Sequence, residues 1–347
     1  MVKVLTYKEI DREEWRRLVA SSKTGTWFQG PEAYEFFNAQ KELFKPFAIA
    51  IEKSESRGES RESRELRGVC VGYVTVEKNA MKHFLTRRAI IIGGPCLADD
   101  ATAEEVTELM RGVRSMMSEK CSMEPIYIET RNFNDYSRWK DAFAAAGFEY
   151  KAHLNFHVDT TDKEVMWERM SENRKRQIKK GQPNPSPSLK GRDVSEADIR
   201  EWYEILAELY RTKVRTPLWP VEFFLEAYRQ GVGKFLLVKH EGNVIGGNMV
   251  VTDGKSVYEW FECGLNAEYK EQYPSVMATW AGMQLAQETG CARYDMMGAG
   301  EPGVPYGVRD FKSEFGGELV EHGRFLCVNK PMLYLMGKFG VKILKRK

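Results

Sequence analysis

One order of secondary-structure patterns occurs twice along this chain and constrains its fold more than any other feature. In each half, apolar patterns predict three strands, a long helix and one further strand. They are Phe47–Glu52, Val69–Glu77, Ile90–Ile92, Thr102–Ser118 and Ile126–Thr130 in the first half, and Phe235–His240, Val244–Thr252, Ser256–Cys263, Ser275–Thr289 and Ala292–Met297 in the second. The alternation predicts an α/β fold of two similar domains, each with a mixed sheet flanked by helices.

The length of the chain fits two domains. Its 347 residues, of which 42% are hydrophobic, can form two cores of the usual ~100–200 residues each. We predict an N-terminal domain over residues 1–155, a C-terminal domain over 156–330 and a basic amphipathic tail over 331–347. The charged stretch 53–67 is predicted to be a flexible hairpin loop, because it offers almost nothing apolar to bury.

The composition argues against several classes of site. The six cysteines contain no C-x-x-C pair and the five histidines show no metal-ligand spacing, so neither a metal site nor a Cys-His hydrolase is expected. The N-terminus lacks an export signal, and we predict a cytoplasmic protein with reduced thiols. Because 52 basic residues nearly balance 50 acidic ones, any phosphate contact must come from a local cluster.

The segment Tyr294–Gly317 has the density of glycine, aromatic and charged residues expected of a functional site. A strand end is followed by Gly298 and Gly300, which allow backbone angles that other residues avoid. Phe311 and Lys312 then precede a second aromatic residue and a glycine pair. The spacing alone leaves two interpretations: a functional lysine held between aromatic rings, or a strand entering a turn with its lysine in solvent.

This segment resembles the C-terminal signature of the FemA/FemX-type transferases. The matching residues are Tyr294-Asp295, Gly298, Phe311-Lys312 and Phe315-Gly316-Gly317. A looser likeness begins at residues 25–34, so the resemblance covers nearly the whole chain. It implies two tandem GNAT-like acyltransferase domains, and transfer of an amino acid from aminoacyl-tRNA to an amine of a peptidoglycan precursor. It also implies that no metal and no bound cofactor are needed.

The resemblance further implies roles for individual residues. Lys312 takes the place of the lysine implicated in transfer, where an ammonium can stabilise the oxyanion that forms on the aminoacyl ester. Phe311 shapes the site beside it, and Asp295 and Gly298 are predicted to contact the substrate. The general base stays unassigned. Asp295 and Asp310 are candidates, but the first fits a cap on the glycine turn equally well and the second a surface ion pair.

Four residues of the C-terminal half are predicted to bind the acceptor. Arg215 and Trp219 partly match the family's nucleotide-holding arginine and tyrosine, with a helix-end cation as the alternative. Tyr258 and Trp260 share one strand face by alternation, and either line the same groove or belong to the core. The lysine that follows the family's early tryptophan segment is absent here. Its absence argues against a UDP-muramyl peptide as the acceptor, and a lipid-linked muropeptide, another amine and a lipid stay open beside it.

The residues before the predicted helix 275–289 argue against acetyl-CoA chemistry. Acetyl-CoA users of the GNAT fold place a glycine-rich turn there, so that backbone amides bind the pyrophosphate. Residues 266–274 contain no glycine. Two rival functions stay open: N-acyl transfer from acyl-CoA or acyl carrier protein, and a non-catalytic module that binds envelope precursors or nucleic acid.

Two basic segments are candidate binding surfaces. Arg174, Arg176, Lys179 and Lys180 cluster on a predicted helix and are expected to contact a polyanion such as tRNA or a diphosphate, with a solvated helix face as the alternative. The tail 331–347 combines an apolar helical face with flanking lysines and is too short to span a bilayer. It is expected either to contact the inner face of the cell membrane peripherally or to dock on the protein.

Overall fold

The computed structural model describes residues 2–56, 62–77, 86–118, 124–181 and 194–344. Within these ranges the chain forms two compact units. The first is Met1–Ala152 together with Glu321–Lys347, and the second is His153–Val320. None of the described helices has both the length and the apolar composition required to cross a membrane.

The N-terminal segment of the first unit, Met1–Ala152, forms most of a mixed sheet and the helices that pack on it. Its strands are β1 (Val2–Thr6), β2 (Phe44–Ser56), β3 (Glu62–Thr75), β4 (Ala89–Gly93), β5 (Cys96–Leu97), β6 (Tyr127–Asn132) and β7 (Glu149–Lys151). Its helices are α1 (Arg12–Ser21), α2 (Pro31–Asn38), α3 (Ala103–Met116) and α4 (Lys140–Ala145). Helix α3 starts at a capping box, in which the side chains of Thr102 and Glu105 each accept from the other's backbone amide. It connects the parallel strands β4 and β6.

The second unit repeats the order of strands, helix and parallel strand. Its strands are β8 (Leu154–Asp159), β9 (Lys234–His240), β10 (Asn243–Thr252), β11 (Ser256–Gly264), β12 (Arg293–Asp295) and β13 (Glu318–Glu321), in the sheet order β13-β8-β12-β11-β10-β9. Its helices are α5 (Lys163–Glu168), α6 (Glu172–Gly181), α7 (Glu196–Leu209), α8 (Val221–Arg229), α9 (Pro274–Glu288) and α10 (Gly307–Ser313). Strands β11 and β12 pair in parallel around α9. The predicted α/β fold with two mixed sheets flanked by helices is therefore confirmed.

The core of the second unit lies between its sheet and α9. Val257 of β11 and Tyr294 of β12 belong to this core, together with Met277 and Met283 of the helix. Every residue of α9 from Pro274 to Met283 is buried, as expected for a helix that is apolar on all sides. This burial fixes α9 against the two strands that carry the candidate site.

The chain returns to the first unit after β13. Strand β14 (Arg324–Val328) pairs antiparallel with β6 and β7, and helix α11 (Pro331–Leu344) follows it. The first sheet then has the order β1-β2-β3-β4-β6-β14-β7, with β5 paired to β3. The prediction that 156–330 form one domain is wrong for its last ten residues. Leu326 lies opposite Glu129, and no local pattern signals a pairing over such a sequence separation.

The charged segment 53–67 also differs from its predicted loop. Lys53 pairs with Glu65, and Ser56 with Glu62, so β2 and β3 extend through most of the segment. Residues 57–61 lie outside the described residues. An antiparallel ladder is built from backbone hydrogen bonds, and a polar sequence can therefore extend it without apolar side chains.

Candidate functional site

The segment Tyr294–Gly317 begins where the parallel strands β11 and β12 separate. Their last paired residues are Tyr258 and Asp295. Strand β12 ends there, whereas β11 continues to Gly264. The second half of β11 therefore has no partner in β12, and the residues after Asp295 form the other side of this gap.

Lys312 reaches the end of β12 from α10. Its ammonium donates to the backbone carbonyl of Met296 and, at 3.0 Å, to that of Gly298. Gly298 has a φ of 108°, which L side chains rarely adopt. Lys312 is only 8% exposed and lies on a helix, so the interpretation as a solvated lysine at a strand end is wrong. Among the described residues these two bonds use two of its three N–H groups, and one is left for another acceptor.

A β-bulge in β11 brings two glutamates to the same side of the sheet. Opposite β10, Glu259 pairs with Val250 but Phe261 pairs with Met249, so β11 holds one extra residue here. Simple alternation would place residues 259 and 262 on opposite faces. Glu259 instead accepts from the Thr279 hydroxyl of α9, and Glu262 lies close enough to the Ser275 hydroxyl of the same helix for Ser275 to lower its pKa.

Glu259 belongs to a buried network beside Lys312. Its Oε2 accepts from the Tyr294 hydroxyl and, at 3.1 Å, from the Thr279 hydroxyl. Its Oε1 lies 3.8 Å from the lysine Nζ. Burial raises the pKa of Glu259, and the positive charge of Lys312 offsets part of that rise. The network fixes a carboxyl group next to the lysine ammonium.

The carboxyl group of Glu262 has fewer hydrogen-bond partners among the described residues than that of Glu259. The Ser275 hydroxyl lies near its carboxyl group and acts to lower its pKa, but its Oε1 is enclosed and has no hydrogen-bond partner among the described residues. Burial, followed by the negative charge of Glu259, raises the pKa of Glu262 to about 8. This carboxyl group is therefore largely protonated at neutral pH.

Arg174 of α6 packs against the two aromatic rings that flank Lys312. Its guanidinium carbon lies 4.5 Å from the ring centroid of Phe311 and 4.3 Å from that of Phe315. It donates to the Phe311 carbonyl at 3.0 Å and lies 3.2 Å from Glu314. Arg174 is only 3% exposed, and this burial lowers its pKa to about 10 although the negative charge of Glu314 acts to raise it. Its place is thus inside the protein, where it holds Phe311, rather than on the predicted polyanion surface.

Asp295 forms a second buried cluster with two residues of β8. His157 Nε2 lies 3.1 Å from Asp295 Oδ2, and Asn155 donates to Oδ1 at 2.7 Å. The Met297 amide donates to the same oxygen at 2.9 Å. Burial acts to raise the pKa of Asp295, but His157 and Arg293 outweigh it and hold the pKa at about 2. Such a carboxylate is a weak base, so it is better suited to cap the turn and orient His157.

Sequence reasoning missed the pair of His157 and Asp295. The antiparallel register of β8 and β12 places these two residues opposite each other. An alternating pattern predicts which residues share a face, but the register between distant strands is set by tertiary packing. Sequence reasoning also missed Glu259 and Glu262, because the bulge that aligns them is not visible in the alternation of β11.

The four predicted acceptor-binding residues have different surroundings. Arg215 is exposed and adopts a left-handed conformation after the helical turn that follows α7. The rings of Trp219 and Trp260 both pack near Phe223, with centroid distances of 6.2 Å and 5.5 Å. Tyr258 is completely buried and donates to a carboxylate at 2.7 Å. The two tryptophans therefore share one aromatic surface, whereas Tyr258 belongs to the core, one of the two interpretations left open.

The other three residues predicted to contact a polyanion are exposed on α6, and one of them lines a cavity of about 330 Å³. They are Arg176, Lys179 and Lys180. Lys180 lines the cavity together with Lys239 and His240 of β9, and Glu271 adds one acidic group. Lys239 is also paired with a carboxylate of α7 at 2.6 Å. The part of the chain that the structure describes contains no cluster of three or more His, Cys, Asp or Glu side chains suited to a metal ion.

The start of α9 is occupied by a side chain of the preceding loop. Asn266 Oδ1 accepts from the Ser275 amide at 3.1 Å, and its Nδ2 donates to the Ser275 hydroxyl at 2.7 Å. Pro274, the first residue of the helix, has no amide hydrogen. At the start of α9 one backbone amide is therefore bonded to Asn266 and the position before it has no amide hydrogen, whereas acetyl-CoA users direct such amides at a pyrophosphate. This agrees with the absence of glycine from 266–274.

Comparison with known proteins places this geometry in a common fold. Residues 151–313 match the family model described as an acetyltransferase (GNAT) domain. The crystal structure of FemX superposes with a TM-score of 0.66 at 13% identity, over 96% of this chain and 99% of that one. L-PGS from Bacillus licheniformis gives 0.49 at 10% identity over 97% of each chain, and a GCN5-related N-acetyltransferase from Kribbella flavida gives 0.40 at 11% identity, over 79% and 88%. No curated protein matches the sequence. The second unit thus carries a GNAT-type acyltransferase domain, in a chain with the fold of FemX.

Proposed function

We propose that this FemABX-like acyltransferase moves an amino acid from aminoacyl-tRNA to an amine of a peptidoglycan precursor. The observation that carries the proposal is the buried ammonium of Lys312, which two backbone carbonyls hold at the end of β12. Among the described residues its third N–H group has no acceptor within hydrogen-bond distance, with Glu259 Oε1 lying 3.8 Å from the nitrogen. It lies in the segment whose residues resemble the FemA/FemX signature. The GNAT-type domain supports acyl transfer as the class of reaction.

In the proposed step, the acceptor amine attacks the ester carbonyl carbon of the donor. A C–N bond forms, the ester C–O bond breaks, and the proton of the amine ends on the ribose hydroxyl that leaves. Negative charge develops on the carbonyl oxygen, and the remaining N–H group of Lys312 would stabilise it there. Because two backbone carbonyls already hold the ammonium, it would need little reorganisation during the reaction.

The donor tRNA is proposed to contact the surface at the end of α6. Arg176, Lys179 and Lys180 are exposed there, and Lys180 borders the cavity beside β9. Clustered cations bind phosphates with release of counterions, without reading the base sequence. This arrangement supports a sequence-independent contact with an RNA backbone.

The acceptor is proposed to bind through Arg215, Trp219 and Trp260. The exposed guanidinium of Arg215 suits a diphosphate, and the two tryptophan rings near Phe223 offer flat surfaces for a sugar or a base. Both UDP-muramyl and lipid-linked precursors carry a diphosphate. These residues therefore support a diphosphate-linked acceptor without selecting between the two.

We also propose that the protein works in the cytoplasm at the inner face of the cell membrane, through α11. Met332, Leu335 and Met336 of this helix are exposed by 79%, 53% and 64%, and its sequence carries two lysines, Lys338 and Lys342, and no acidic residue. Tyr334 contacts Tyr127 of the first unit, with ring centroids 5.4 Å apart. An exposed apolar face flanked by lysines suits an anionic lipid surface. Unchanged pelleting with anionic liposomes after deletion of residues 331–347 would contradict this role.

A ligand comparison tests the proposal directly. The thermal unfolding of the full chain is measured with charged tRNA, uncharged tRNA, UDP-muramyl peptide, lipid-linked precursor and acyl-CoA. A ligand present at 100 times its Kd raises the free energy of unfolding by about 2.7 kcal/mol. We expect charged tRNA and one of the two precursors to stabilise the protein, and acyl-CoA to have no effect.

Two results would overturn the proposal, and each favours a different rival. Stabilisation by acyl-CoA, with acyl transfer from it and none from charged tRNA, would make the protein an ordinary N-acyltransferase. Stabilisation by a precursor or by tRNA without any transfer of a labelled amino acid would make it a binding module.

A further inference from the structure

The mechanism proposed above leaves Glu262 without a role. Two cations lie close enough to influence its charge, Lys312 and Arg174. Lys312 bonds to backbone carbonyls and lies 3.8 Å from Glu259. The guanidinium of Arg174 is directed at the Phe311 carbonyl and at Glu314. Neither cation donates to Oε1 of Glu262, which has no partner among the described residues.

A carboxyl group in such a position is unfavourable for the protein alone. Enclosing a polar atom without a hydrogen bond costs free energy, and ionising the group in the presence of Glu259 costs more. The bulge in β11 nevertheless turns Glu262 to the side of the sheet that carries Glu259 and Lys312. A cation brought by a ligand would remove both costs, because it supplies the missing donor and compensates the charge.

We propose that Glu262 binds the α-ammonium group of the aminoacyl donor, and that the site thereby selects aminoacyl esters over plain acyl and N-blocked donors. This inference rests on the proposed function and adds to it the chemical class of donor. In an aminoacyl ester the ammonium nitrogen is two bonds from the carbonyl carbon. A donor whose carbonyl oxygen contacts Lys312 therefore has its ammonium within a few ångströms of this lysine, which lies 3.8 Å from Glu259 and close enough to Glu262 to influence its charge.

The same contact would keep the two amines of the reaction distinct. An α-ammonium group that is hydrogen-bonded to a carboxylate stays protonated and cannot attack an ester. The acceptor amine, which lies outside this contact, is then the only nucleophile in the site. The raised pKa of Glu262 adds a measurable signature: binding a cation favours the ionised carboxylate, so the protein should release a proton when the donor binds near neutral pH.

The test uses stable donor analogues and the full chain. The analogues are 3′-aminoacylamino-3′-deoxyadenosines carrying glycyl, alanyl, seryl or lysyl groups, each compared with its α-N-acetylated counterpart. Affinity and proton release are measured by titration calorimetry in two buffers of different ionisation enthalpy. The proteins are the wild type, Glu262→Gln, and the control Glu288→Gln, which changes an exposed glutamate at the far end of α9.

For the wild type and the control we expect at least one free-amine analogue to bind about tenfold more tightly than its acetylated form, with release of protons. In Glu262→Gln we expect this preference and the proton release to be lost, while the acetylated form binds as before. A substitution that merely disturbed the fold would weaken both forms alike. The inference is overturned if the wild type does not prefer free amines, if it binds no analogue, or if Glu262→Gln keeps the preference.

Transfer from charged tRNA, measured with the same proteins, separates this inference from the proposed function. Transfer by the wild type with an amine preference that is independent of Glu262 would refute the inference alone. An amine preference that depends on Glu262, without transfer to any precursor, would refute the proposed function alone.

Discussion

Each unit has a glutamate on a strand beside charged groups, and the pKa values of these two glutamates are shifted in opposite directions. Glu129 of β6 lies 3.0 Å from Arg131 Nε and 3.0 Å from Arg324 Nη1. Burial acts to raise its pKa, but the two guanidinium groups outweigh it and hold the pKa at about 2. Glu262 of β11 has no guanidinium partner of this kind among the described residues, and burial with the negative charge of Glu259 raises its pKa to about 8.

The difference indicates that the charged partners of a partly buried acid, more than its burial, decide its charge. Glu129 has its charge compensated within the chain, so it contributes to stability and needs nothing from a ligand. Glu262 and Glu259 have raised pKa values next to a buried lysine. Perturbed acids of this kind concentrate at functional sites. The comparison therefore supports a structural role for Glu129 and agrees with the role proposed for Glu262 in binding the donor.

The largest effect on stability is expected from Glu129→Gln. This substitution leaves two guanidinium groups without their carboxylate, so we expect it to lower the free energy of unfolding at pH 7 by about 2–3 kcal/mol, after discounting for partial exposure. Because folding lowers the pKa of Glu129, its carboxylate contributes fully to the free energy of unfolding only at pH values above the pKa of this group in the unfolded chain. The contribution is lost as the pH falls from about 4.5 to 2. Urea unfolding at pH 7 and pH 3 measures both, and an unchanged midpoint at pH 7 would contradict the structural role.

The same substitution at position 262 is expected to act with the opposite sign. A carboxyl group with a raised pKa keeps its proton in the folded protein and loses it in the unfolded chain. The free energy of unfolding therefore falls as the pH rises from the pKa of this group in the unfolded chain toward 8. Glu262→Gln removes this loss, and we expect it to raise the free energy of unfolding at pH 8 by about 2 kcal/mol, with little change at pH 4. Urea unfolding across this range provides the measurement. Equal effects at both pH values would refute the assignment of the raised pKa.

The smallest expected effect concerns the surface of α6. Lys180→Ala removes one cation beside the cavity, so we expect tRNA to bind about two- to fivefold more weakly, with a salt dependence reduced by about one counterion. Lys255→Ala, on an exposed turn of the second unit, is the matched control. Filter binding at several salt concentrations measures both variants. A salt dependence identical to that of the wild type would remove Lys180 from the RNA surface.

Most of the architecture could be predicted from local patterns. The repeated order of strands and helix follows from apolar periodicity, and the segment around Lys312 stands out by its composition. These features depend on residues that are neighbours in sequence or one helical turn apart. The same is true of the missing glycine turn before α9, since a backbone site needs particular residues at particular positions.

The features that were missed depend on non-local pairing. Strand β14 joins the first sheet through β6, and His157 meets Asp295 through the register of β8 and β12. Glu262 reaches the same side as Glu259 only because a bulge interrupts the alternation of β11. Arg174 is predicted on a surface because its neighbours in sequence are basic, whereas the ring of Phe311 in α10 and the ring of Phe315 just after it pack against its guanidinium group. Each of these outcomes is decided by contacts between elements that are distant along the chain.

In the proposed function, the Lys312 ammonium stabilises the charge that develops during aminoacyl transfer. Single-turnover transfer of a labelled amino acid from charged tRNA to a peptidoglycan precursor is compared for the wild type, Lys312→Ala and the control Lys255→Ala. We expect Lys312→Ala to slow amide formation about 10²- to 10³-fold at saturating tRNA, with little change in affinity for tRNA and a cooperative unfolding transition. Lys255→Ala should match the wild type. Retention of the wild-type rate by folded Lys312→Ala would contradict the claim.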